Sequence, residues 1–182
     1  MADILTLGGQ RETKPKIEEV MPHFLGGEEL ESALNFVAHL RANKTNLIWA
    51  GVHNFWNAKS KGKNVCYTKL GGSWIGRKLP GTEVDVRWEV ELNLMNMSAY
   101  EDKIIAENMQ EYIWNGFAHC RSCGNGCPPG VDKTILGRDF TGLCNGMFYT
   151  RFIISFVNPD EAALDVIKKL IEWEKQARSA AK

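Results

Sequence analysis

Between positions 84 and 94 every second residue is apolar. Val84, Val86, Trp88, Val90, Leu92 and Leu94 alternate with Asp85, Arg87, Glu89, Glu91 and Asn93. A period of two sustained over such a stretch predicts a strand with one buried face and one face in water. Upstream the period changes. Leu30, Ala33, Leu34, Val37 and Leu40 fall on one stripe of a helix over 28–42, with Glu28 and Glu29 at its positive end and Arg41 at its negative end. Aromatic, β-branched runs over 47–56 and 64–70 read as strands joined by a hairpin connection at Ala58-Lys59-Ser60-Lys61-Gly62-Lys63. Gly71-Gly72 turns the chain into a further short strand over 73–79, and Pro80-Gly81 turns it again.

Ser98 and Glu101 have the spacing of a capping box, and Ile105, Met109, Tyr112 and Ile113 continue a helical stripe that ends by Gly116. Pro128, Pro129, Gly130, Gly137 and Gly142 break regular patterning through 119–144. A strand over 147–157 places Phe148, Phe152, Ile154 and Phe156 on one face. Asn158-Pro159-Asp160-Glu161 then starts a last helix, with Asn as the cap and Pro in the first helical position. This helix runs to about Arg178 and buries Ala163, Val166, Ile167, Leu170 and Ile171. Residues 1–27 show no sustained period and read as an irregular lead-in. The expected architecture is α+β: one domain over 28–182, with an antiparallel sheet, helices on one face and a Cys-rich loop inserted at 119–144.

Composition narrows the class. The 182 residues carry 22 Lys+Arg against 22 Asp+Glu, with 44% hydrophobic and 24% charged positions, as in a soluble globular chain. A net charge of zero gives no general attraction to nucleic acid or to an anionic membrane. No apolar run approaches the roughly 18 residues of a membrane span, and Asp3 stands where a signal peptide would be basic, so a cytoplasmic location is expected.

Four of the five cysteines cluster late in the chain. Cys120 and Cys123 are separated by two residues, Cys127 follows after three, and Cys144 closes the set. Four thiolates suit a tetrahedral structural zinc site, and Gly124 and Gly126 permit the wrapping it needs. Two other readings stand beside it. The run Cys120-x2-Cys123-x3-Cys127-Pro128 also matches the tail of a ferredoxin iron–sulfur motif, with Phe117 in place of its first cysteine. The four can equally be ordinary thiols without a metal. His119 beside the loop is a spare ligand or a surface residue, and Cys66, alone on a strand, reads as a small core residue.

Six tryptophans give a second chemical theme. Trp56, Tyr67 and Trp74 on neighbouring strands would wall a groove for a small apolar or cationic molecule, with Glu91 as its charge partner. The alternative is that the aromatics are all core and the domain is structural or an interaction module. A hydrolase of small apolar substrates is the third reading, with Glu91 or His53 as general base. Glu89 and Glu91 share their face with Arg87, which a solvated face explains without function. No nucleophile elbow, phosphate-binding loop or zinc-protease motif is present.

The run 64–70 behind a Trp-rich strand, the Cys-rich loop followed by Gly137 and Phe140, and the Asn-Pro-Asp-Glu helix start resemble a bacterial family of unknown function over roughly 28–178. More distantly, the order of elements resembles GyrI-like small-molecule-binding domains. That resemblance implies a sheet with helices on one face and a ligand groove lined by aromatics and a Glu. The cysteine loop is additional to that pattern.

Overall fold

The computed structural model describes residues 3–71, 85–117, 129–143 and 152–180. Its centre is a five-stranded antiparallel sheet in the order β1-β2-β3-β4-β7, formed by β1 (Asn46–Trp49), β2 (Phe55–Ser60), β3 (Lys63–Leu70), β4 (Trp88–Leu94) and β7 (Phe152–Val157). A separate hairpin joins β5 (Val131–Ile135) to β6 (Arg138–Leu143). With the helices this is an α+β domain, as the alternation of periods along the chain requires.

Two long helices lie over one sheet face: α3 (Gly27–Ala42) and the C-terminal α6 (Glu161–Ala180). That face carries Trp56 and Ala58 of β2, Cys66, Thr68 and Leu70 of β3, and Trp88, Val90, Leu92 and Leu94 of β4, all buried. Phe36 of α3 meets Trp88 edge-on, with ring centroids 6.4 Å apart. Ile167, Leu170 and Ile171 complete the layer from α6.

Several local expectations are corrected. Residues 3–27, the described part of the lead-in, are not irregular throughout. They form α1 (Leu7–Thr13), α2 (Ile17–Val20) and a 3₁₀ turn at Met21–His23. Thr6 caps α1 by accepting from the Gly9 N–H, and Lys14 ends it in the left-handed region at φ 47°. Helices of two turns or fewer are too short to show a period, and α1 docks through a polar residue rather than an apolar stripe. That residue is Gln10, which is fully buried. Its Nε2 donates to the Ile4 carbonyl (2.8 Å) and to Asn54 Oδ1 (2.6 Å), while its Oε1 accepts from Asn54 N (2.8 Å) and Trp49 Nε1 (3.2 Å). Gln10→Ala strands these partners in the interior, so an equilibrium urea titration is expected to show a loss of about 2 kcal/mol.

The stretch 47–56 is two strands, because Gly51 (φ 80°) and Asn54 (φ 55°) fold the chain back between them. The β2–β3 connection is a two-residue turn, with positive φ at both Lys61 and Gly62. The helix expected from Ser98 to Gly116 is broken. A 3₁₀ turn at Met97–Tyr100 leads into α4 (Glu101–Ala106), and α5 (Gln110–Asn115) follows a left-handed Asn108. The β5–β6 hairpin lies inside the segment expected to be irregular. At the start of α6 the cap is Asp160, whose Oδ1 accepts from Ala163 N at 2.8 Å. Asn158 is committed elsewhere: its Oδ1 accepts from the N–H groups of Arg87 and Trp88, and its Nδ2 donates to the Asp85 carbonyl.

Candidate ligand-binding cleft

Directly paired residues on antiparallel strands share a sheet face. Phe55 pairs with Lys69, Lys69 with Glu89, Tyr67 with Glu91, and Glu91 with Ser155. These side chains therefore occupy the face away from Trp56, Thr68 and Val90. A shallow cleft forms there, lined by Phe55, Tyr67, Lys69, Glu89 and Glu91, with no interior room for a water-sized group.

The two carboxylates define it. Glu89 is 2% exposed and Glu91 7%, although alternation along β4 predicts a solvated face for both. Every residue of β4 is buried, and β4 lies between β3 and β7 in the sheet. The Phe55 and Tyr67 rings are stacked 5.6 Å apart at 25°, forming an aromatic wall. Ser155 Oγ lies 3.4 Å from Glu91 Oε1 and donates to it. Burial pushes the Lys69 ammonium below its ordinary pKa, and attraction from Glu89 and Glu91 only partly offsets this.

The arrangement gathers two carboxyl groups, the Lys69 ammonium and an aromatic pair into one site. An aromatic wall adds attraction for a positive charge carried on an apolar body.

Of the residues expected to bind a ligand, the structure brings Tyr67 and Glu91 together. Trp56 is not in the cleft. It is fully buried on the opposite face of β2, with its indole N–H donated to the Pro15 carbonyl at 2.9 Å. Trp74 lies outside the described residues, as do Cys120, Cys123, Cys127, Cys144 and His119. His53 is exposed, with Nε2 2.8 Å from the Leu5 carbonyl, and lines no part of the cleft. Cys66 is the core residue its position predicts, and burial pushes its thiol up to about 12. Phe55, Lys69 and Ser155 are the additional members, and Glu89 lines the cleft beside Glu91. Only strand register reveals them, because each belongs to a different run of sequence from its neighbour in space.

Among the described residues, no group of three or more His, Cys, Asp or Glu is placed to hold a metal ion. No described helix is long and apolar enough to cross a membrane. No protein-family model matches the chain, and neither the curated proteins nor the solved structures contain a match to it. What the geometry defines is an α+β domain with an acidic, aromatic-walled cleft on the sheet face opposite α3 and α6.

Proposed function

We propose that the domain is a small-molecule-binding module in which an apolar organic cation docks at the mouth of this shallow cleft. The observation that carries this reading is the near-complete burial of Glu89 and Glu91 beside the stacked Phe55–Tyr67 pair. An ammonium on an aromatic or aliphatic body meets both the carboxyl groups and the rings. Calorimetric titration with benzyltrimethylammonium tests it. Saturable binding is expected, weakened about tenfold or more by Glu91→Gln, which keeps the shape and removes the charge. Equal affinity in the two proteins overturns the assignment of Glu91.

The same proposal includes a zinc ion held by Cys120, Cys123, Cys127 and Cys144, stabilising the 119–144 loop. Its support is the thiolate set and the paired spacing at Cys120 and Cys123. Protein purified without added metal is expected to carry close to one zinc per chain. A content under about half an equivalent removes this part of the proposal, and iron with a brown colour replaces zinc by an iron–sulfur cluster.

A further inference from the structure

The Lys-rich turn between β2 and β3 has no role in the cleft, yet it helps to build a sizeable cavity of mixed polar and apolar lining. This cavity lies between the turn and the C-terminal end of α6, with a volume of about 480 Å³. Sites for small ligands commonly fall between about 300 and 1,000 Å³. We propose that this cavity is a second binding site, for a small organic anion that joins a phosphate or carboxylate head to an apolar body.

The charges are arranged in two tiers. Lys175 and Arg178 stand one turn apart on α6 and form the fixed wall. Lys175 is held by Glu172 (2.7 Å) and the Asn43 carbonyl (2.8 Å). Arg178 is held by Glu174 (2.6 Å) and by the Asn64 and Asn93 carbonyls (2.8 and 2.7 Å). Their charges are therefore matched. Lys61 and Lys63 are not: among the described residues neither has a carboxylate within ion-pair distance. Lys61 Nζ reaches only Ser179 Oγ, at 3.4 Å. The two-residue turn, with Lys61 in it and Lys63 just after it, brings both lysines into the lining of the cavity. The site thus has two unmatched ammonium groups, hydroxyls from Ser60 and Ser179, and an apolar floor at Val65. An anion supplies the missing counter-charge, and an apolar body covers the floor. Glu172 is the acidic group in the lining, and its pairing with Lys175 keeps it from repelling the head.

Backbone amide shifts of the full chain, followed during titration with phenyl phosphate, benzoate and inorganic phosphate, test this. Saturable shifts are expected at Ser60, Lys61, Lys63, Val65 and Ser179, with the tighter of the two organic probes identifying the head group. Inorganic phosphate is expected to bind more weakly than phenyl phosphate. The double variant Lys61→Asn, Lys63→Gln preserves the turn and is expected to weaken binding about tenfold. Arg11→Gln, on α1 at the other end of β2, removes the same kind of charge and should leave affinity unchanged. No saturable shift at these amides overturns the proposal, as does equal loss in the Arg11 variant. Phenyl phosphate binding no tighter than inorganic phosphate also overturns it. The outcome is independent of cation binding at Glu91.

Discussion

Glu174→Ala is expected to lower the stability of the domain by about 3–5 kcal/mol, the range for breaking one side of a buried charged network. Glu174 is 0% exposed in the middle of α6. Its carboxylate accepts from the backbone N–H groups of Met95 and Asn96 (both 3.1 Å), from Asn96 Nδ2 (2.9 Å), from the Tyr100 hydroxyl (2.8 Å) and from Arg178 Nε (2.6 Å). Arg178 carries the connection on to β3 and β4 through the Asn64 and Asn93 carbonyls. One side chain therefore ties the last helix to two central strands and to the 3₁₀ turn after β4. Alanine leaves a guanidinium and four N–H or O–H donors without their acceptor.

The network also fixes a pH dependence. Burial alone would raise the Glu174 pKa, but the hydrogen bonds from Arg178, Tyr100 and Asn96 outweigh it and hold the group below its ordinary value of 4.5. A depressed carboxylate contributes stability that is fully present above the unfolded pKa and is lost as pH falls through the folded one. Denaturant midpoints measured from neutral pH downward should fall below about pH 4.5. They should fall less steeply in Glu174→Gln, which starts from a lower plateau.

Trp56→Ala is the second large effect, at about 3–5 kcal/mol for removing a buried indole from a packed core. The loss has two sources. The ring is fully buried, in one core cluster with Ala58 and Val20. Its N–H also satisfies the Pro15 carbonyl. Trp56→Phe keeps most of the volume and should be milder. Both variants, where folded, are expected to keep the affinity of the wild-type domain for benzyltrimethylammonium. A tryptophan in the ligand cleft would behave in the opposite way, with little change in denaturant midpoint and a clear change in affinity.

The contrast between Trp56 and Tyr67 marks where the sequence stops being legible. Period alone locates β4, the helix over 28–42 and the last helix, because each repeats its signal over two or more turns or several alternations. Tyr67 and Glu91, named together from the sequence, are direct partners on neighbouring strands. Yet Trp56 stands next to Phe55, and a shift of one residue sends a strand side chain to the other face. The turn between Gly51 and Asn54 resets that phase, and its left-handed residues carry no hydrophobic signal. The acidic face of β4 fails for a different reason. Alternation distinguishes polar from apolar, but whether a polar face meets water depends on strands distant in sequence, here β3 and β7. Asn158 is a third case: its type suits a helix cap, and the structure spends its side chain on the start of β4 instead.

The most direct test of the cleft is the location of a bound cation. Amide and side-chain shifts of the full chain should be followed during titration with benzyltrimethylammonium, with benzyl alcohol as the neutral comparison. The expected result is a saturable change centred on Tyr67, Lys69, Glu89 and Glu91, produced by the cation at concentrations where the alcohol produces none. Shifts confined to other parts of the molecule, or the same response to both compounds, would contradict a cation site built on the buried Glu89–Glu91 pair.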